Sequence, residues 1–277
     1  MPGPTSVTGS AFTTRTAWTA AFNGVPLYTA KDATNRPQPI TAAPVWLPHP
    51  DGGLMIVFGT GRNLSDNDRA DTSAQSIYGV RDNTAVNRDS ANILTLSGGA
   101  PITDGRAALI AQTPSTTSTG ANDSGTRLWT LSSNKVDYTG VNTKKGWYVD
   151  LPDAGERVLS NLSWFDGLLV DAPSTVPNIG NDPAVETCTP QPTTIRGYLN
   201  TMNAVTGAAP KSQIYAYTSL GPVGTGPSEK IASRIESGIQ YGVKSQSEEK
   251  AVCASGQCSD RMRLGKASLR PSWRQLQ

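Results

Sequence analysis

Three features of this sequence predict an all-β fold, arranged as a partial (incomplete) β-propeller with long polar loops. Glycine (27) and proline (20) are abundant and charged residues make up only 17% of the 277 positions, a mixture that interrupts helices and populates turns. Apolar runs are short and bounded by Gly or Pro, as strands are. These runs group into units that recur at roughly forty to fifty residues, each with an aromatic side chain, which is the spacing of propeller blades. A β-sandwich would also give many short strands, but the long polar excursions between groups favour the propeller. Residues 1–15 are read as a disordered segment and 16–277 as the ordered domain.

The elements follow in order. TAWTAAFNGVPLY (16–28) reads as a hairpin turning at Asn23-Gly24, with Trp18, Phe22 and Tyr28 packed inward. QPITAAPVWLP (38–48) is extended, and Pro39, Pro44 and Pro48 restrict it to an edge or a strand end. GLMIVFGTG (53–61) is a strand buried on both faces. Its GTGR exit lacks the Lys-Ser/Thr end of a phosphate loop. A polar loop over 63–76 then leads to a strand in QSIYGV (75–80) that neighbours it. NILTL and RAALIAQT are weaker strands in a Ser/Thr/Gly background. RLWTLSS, KVDYTG and GWYVDLP follow, then a strand, a turn at Asp166-Gly167 and another strand within 156–173. Trp129, Trp147, Tyr148 and Trp164 are expected to fill that core. A loop spans 172–192, IRGYLNTMNAVTG (195–207) is a further sheet element, and SEKIASRIESGIQYG (228–242) is read as a strand despite Ile231, Ile235 and Ile239 recurring every four residues.

Charge and composition exclude several functions. A net charge of +2 from 24 basic and 22 acidic residues supplies no field that would draw the chain onto nucleic acid or an anionic membrane. No stretch reaches the roughly twenty apolar residues of a membrane span, and MPGPTSVTGS has neither the charged start nor the apolar run of a signal peptide. The basic tail, with Arg261, Arg263, Lys266, Arg270 and Arg274 and with Trp273 as an anchor, reads as a solvated chain end.

No catalytic or metal constellation emerges. Cys253 and Cys258 are close enough to bridge across a tight turn, whereas zinc would need further ligands. Cys188 is left as a buried small hydrophobe or as a thiol whose partner lies outside this chain. Asp66, Asp68 and Asp71 cluster in SDNDRAD but lack the turning Gly and distal Glu of a calcium loop, so a solvated turn is expected. The single histidine, His49, lies between two prolines with no nucleophile elbow to serve. Asp150, Asp153, Glu156, Asp166 and Asp171 offer carboxylate pairs of the kind glycosidases use, but they sit where Asp caps strand ends and turns.

QPITAAP, GGLMIVFGTGRNL, the acidic loop, QSIYGVRDN, GWYVDLPDAGERV and the closing SWRQLQ, taken in this order from about Phe22 to Gln277, resemble the C-terminal β-propeller domain of type IV pilus tip adhesins, a pilus biogenesis family. The resemblance implies a secreted, non-enzymatic module at the pilus tip or cell surface. Such a module would support pilus assembly, twitching motility and attachment to host or abiotic surfaces, with minor pilins and the remaining blades as partners. It implies calcium in the complete family domain and no cofactor within this chain, in which the family's calcium loop is not found. It also implies a fragment, since family members carry an export signal and further blades before this point. Two segments depart from the pattern: Arg81 stands where the family carries Trp, which suggests an exposed position, and CTPQPTTIRGYLN replaces a Gly-rich turn. Rival readings are a quinoprotein-like or glycan-cleaving propeller enzyme, which needs polar residues clustered in a central funnel, and a purely structural scaffold.

Overall fold

The computed structural model describes residues 6–7, 21–88, 90, 94–116, 120–121, 127–165, 167–176, 196–211, 232–237, 249–254 and 257–263. In chain order the elements are β1 (Ser6–Val7), β2 (Val45–Pro48), β3 (Leu54–Gly59), a short helix α1 (Asp66–Ala70), β4 (Ser76–Asp82), β5 (Thr84–Arg88), β6 (Leu94–Gly98) and β7 (Leu109–Gln112). They continue with β8 (Gly120–Ala121), β9 (Arg127–Thr130), β10 (Gly146–Asp150), β11 (Ser163–Phe165), β12 (Leu169–Val176), β13 (Arg196–Asn203), β14 (Ala232–Ser237), β15 (Glu249–Ala254) and β16 (Gln257–Arg263).

Two large sheets carry the core. The first has the order β2-β3-β4-β10-β7 and the second β11-β12-β13-β14-β9-β8. Within each lies a four-stranded antiparallel meander, β2-β3-β4-β10 and β11-β12-β13-β14, the repeat unit of a propeller blade. The first meander is not contiguous in sequence. Residues 83–145 leave the first one between β4 and β10, forming the hairpin β5–β6 with β1 along its edge, adding β7 parallel to β10 and lending β8 and β9 to the far edge of the second sheet.

Alternation along β3 shows why it lies between two layers. Met55 and Val57 point into the main core with Ile77, Trp147 and Val149 of the same sheet and Val170, Ala172 and Met202 of the other. Phe58 points the opposite way, into a second cluster with Tyr78, Val80, Ile102 and Leu109. Period-two side chains from one strand therefore serve both cores. Pro48 ends the edge strand β2, where its missing N–H deprives no ladder.

Several expectations change. Asn23 (φ 56°) and Gly24 (φ 86°) form a left-handed turn closed by a Val25 N–H to Phe22 O bond of 3.1 Å, as the Asn-Gly pair demands. The chain after it pairs with Ile102 through a single bridge at Tyr28 instead of forming a second hairpin strand, and Trp18 lies outside the described residues. The polar loop contains α1, because Ser65 and Asp68 form a capping box. KVDYTG forms no strand: Asp137 turns the chain by accepting the N–H groups of Thr139 and Gly140. Trp164 is 53% exposed on the edge strand β11 rather than in the core. The loop expected at 172–192 begins as strand, since β12 runs to Val176.

Candidate functional site

One cleft of about 680 Å³ opens between the segment 25–35 and the turn 101–106, with Tyr148 and Asp150 of β10 at its base. Arg106 builds that base. Its guanidinium donates to both Asp150 oxygens (2.7 and 2.9 Å), to Ser76 Oγ (2.8 Å) and to the Tyr78 hydroxyl (3.0 Å), while Nε donates to Lys31 O (2.6 Å). The same group lies 4.4 Å from the Tyr148 ring centroid, a cation–π contact. Behind it the Tyr78 hydroxyl donates to Gln38 Oε1 (2.5 Å), Gln38 Nε2 to Ser76 Oγ (3.0 Å), and Ser76 Oγ to Asp150 (2.6 Å). Strands β4 and β10 place these groups side by side, since Ser76 and Asp150 are register partners. On the rim Asp32 Oδ1 accepts from the Thr34 N–H, the Thr34 hydroxyl and the Arg36 N–H, fixing the turn 32–36. The neighbouring Tyr28 hydroxyl is buried with no hydrogen-bond partner among the described residues, and burial, reinforced by Tyr78, pushes its pKa up.

A second polar cluster lies between the two sheets. Glu156 is fully buried and receives a bidentate pair from Arg234 (2.6 and 2.9 Å) and a bond from Ser174 Oγ (2.5 Å). Arg234 also donates to Asn200 Oδ1 (3.0 Å) and stacks 3.5 Å from the Tyr198 centroid. Next along the chain, Arg157 donates to four backbone carbonyls, those of Gly155, Arg62, Asp68 and Asp71. It thereby clamps the excursion that carries α1.

The acids singled out from sequence therefore have structural partners. Asp150 is held by Arg106, Asp153 accepts from the Tyr198 hydroxyl (2.5 Å), Glu156 is paired with Arg234, and Asp171 accepts from Thr201 Oγ1 (2.6 Å). Asp166 is outside the described residues. Asp68 is buried and accepts from Arg62 Nε (2.7 Å) and the N–H groups of Leu64 (2.9 Å) and Ser65 (3.0 Å). Those backbone bonds, with Arg62, hold its pKa at about 2. Asp71 accepts from the Ser73 N–H and faces Arg36. Both Asp68 oxygens and Asp71 Oδ1 thus accept hydrogen bonds from the chain itself. Nothing is described of the Asp66 side chain.

His49 is 5% exposed and packs edge-on against Tyr138 at 4.4 Å. Its Nδ1 accepts the Asp51 N–H (3.1 Å), shaping the β2–β3 turn, and burial together with nearby Arg81 lowers its pKa. Arg81 is half-buried rather than exposed: it donates to the carbonyls of Asp51 and Gly52 and lies over Tyr138. Cys253 and Cys258 are register partners in β15–β16. Arg261 and Arg263 lie on β16, whereas Cys188, Lys266, Arg270, Trp273 and Arg274 are outside the described residues. Sequence reasoning did not single out Arg106, Arg157 or Arg234. Each is a single cation within or beside an apolar run, RAALIA, ERVL and ASRI, and that placement is the one signal that marks a buried, paired charge.

Comparison with known proteins agrees with this architecture. Residues 3–104 match the family model of the PilY1 beta-propeller domain. Type IV pilus biogenesis factor PilY1 of Pseudomonas aeruginosa strain PAO1 is 48% identical over 65 residues, covering 22% of this chain and 6% of the relative. The same factor of strain UCBPP-PA14 is 36% identical over 103 residues (36% and 8%), and a homolog from Xylella fastidiosa is 31% identical over 134 (48% and 8%). The matched stretches thus span less than a tenth of these relatives. The crystal structure of the Pseudomonas aeruginosa PilY1 C-terminal domain superposes with a TM-score of 0.68 at 23% identity, covering 90% of this chain and 49% of that domain, a likeness of fold alone. Family match, relatives and fold together show that residues 3–104 are similar to PilY1 β-propeller sequence and that the chain has, in part, the fold of the PilY1 C-terminal β-propeller domain.

Proposed function

We propose that this chain works by binding, as part of a type IV pilus biogenesis protein that helps assemble pili and attaches their tips to host or abiotic surfaces. The observation that carries the reading is the match of residues 3–104 to the PilY1 propeller family, whose relatives are named as pilus biogenesis factors. Engagement of Asp150, Asp153 and Glu156 in structural bonds supports a non-enzymatic role. On this reading residues 16–277 form one portion of the propeller, with minor pilins and the remaining blades as partners and the pilus tip or cell surface as location. Calcium, expected of the complete domain, is held elsewhere than in loop 65–71. No helix among the described residues is long and apolar enough to cross a membrane.

Deleting the encoding gene and complementing it tests the proposal. Surface pili and twitching should fall on deletion and return with the intact gene, and complementation without the segment for this chain should not restore them. Normal piliation and attachment in the deletion strain would overturn the reading.

A further inference from the structure

The cleft between segment 25–35 and turn 101–106 is built in two parts. Its base is saturated: Arg106, Asp150, Ser76, Tyr78 and Gln38 satisfy one another in a closed network. Its rim is open, because the side chains of Lys31, Asp104, Thr29, Thr103 and Asn35 line the cleft and make no hydrogen bond or ion pair among the described residues. A network that fixes its own members leaves little conformational entropy to lose on binding.

The rim groups constrain what could fill the space. Asp32, Asp104 and Asp150 oppose an anion, while Lys31 and Arg106 oppose a simple cation. Lys31 offers donors, Asp104 acceptors, and Thr29, Thr103 and Asn35 both, and hydroxyl-rich neutral molecules suit such a mixture because each hydroxyl both donates and accepts. Pro26, Pro101, Val25 and Tyr148 supply apolar surface among them, suited to the C–H faces of a sugar ring. The volume falls within the range of roughly 300–1,000 Å³ that small-molecule sites occupy.

We propose that this cleft binds a neutral carbohydrate, through Asp104 and Lys31 on the rim, with the Arg106–Asp150 pair holding the base in shape. The assignment rests on the binding role proposed above and names the chemical class of a ligand for it. The test is saturation-transfer NMR on the full chain with methyl glycosides of glucose, galactose, mannose and N-acetylglucosamine. Saturation transfer to at least one glycoside is expected, weakened by about tenfold or more in affinity in D104A and in K31A at unchanged melting temperature. No transfer to any of the four, or transfer undiminished in both variants, overturns the site. Failure here leaves piliation and attachment of the deletion strain as a separate measurement, so the two proposals stand or fall apart.

Discussion

Trp147 sits in a slot whose walls are glycines. A Cβ on Gly79, its register partner in β4, would lie 2.3 Å from the indole, and one on Gly207, after β13, would lie equally close. The indole N–H donates to Ala204 O (2.9 Å), so one side chain joins the two sheets by packing and by a bond. Gly79→Ala is expected to destabilise the chain by about 2–3 kcal/mol through overpacking, and Trp147→Phe by about 1–3 kcal/mol through a cavity and an orphaned carbonyl. In urea unfolding the double variant should be less destabilised than the sum, since the smaller ring vacates the space the new methyl needs. Strict additivity would mean that the two residues do not share a slot. His49 makes a different residue-scale prediction. Its folded pKa lies below the unfolded value of about 6.5, so the unfolded chain binds the proton more readily. The stability it contributes is complete above pH 6.5 and is lost as pH falls below it towards the folded pKa. Thermal melts at pH 7.5 and 5.5 should show a drop for the native chain that is smaller in H49Q, and an equal drop in both would exclude His49 as its source.

At the scale of elements, Arg157 determines how the α1 excursion lies on the body. With four carbonyls as acceptors and no carboxylate, its guanidinium holds backbone directly. Arg157→Met keeps the stem and removes the donors, and limited proteolysis should then cut within 62–71 at least several times faster while the sheets stay protected; unchanged cleavage would show that α1 holds itself. The hairpin β15–β16 carries a covalent prediction. Ala254 pairs with Gln257 around a two-residue connection, and Cys253 pairs with Cys258 one step further. Alternation along an antiparallel ladder makes that second pair the close, non-hydrogen-bonded kind, with Cα atoms about 4.5–5.5 Å apart. In an oxidising compartment the native mass should therefore be about 2 Da below the reduced mass, with the bridge mapping to this pair; a bridge to Cys188, or three free thiols, would refute it. Most of these elements were legible in sequence. Strands β3, β4, β10, β12 and β13 follow from apolar alternation and Gly boundaries, and β14 follows because Ile235 sits in a run flanked by β-like chain. What escaped were features set by partners far along the chain: α1, held by Arg157, and the cleft, whose two sides are some seventy residues apart in sequence.

For the whole molecule, the same distinction explains why blade spacing predicted the propeller but not the assignment of strands to blades. The first meander closes only when β10 returns after residues 83–145, and those residues also supply β8 and β9 to the other sheet. Local pattern cannot encode such pairing. Both meanders begin on an edge, β2 in one sheet and β11 in the other, and each edge strand displays a tryptophan, Trp46 at 57% exposure and Trp164 at 53%. The chain spans 49% of the solved domain of the same fold, so about half of that domain lies beyond the matched part. An open edge with an exposed indole is a template for strand addition and a hydrophobic anchor at once. The 277-residue chain, purified alone, is therefore expected to self-associate at micromolar concentration, and W46K with W164K together should shift sedimentation towards the monomer without lowering the melting temperature, because each tryptophan is more than half exposed. A native chain that sediments as a monomer, or a double variant that associates unchanged, would show that these edges are already protected by residues of the same chain.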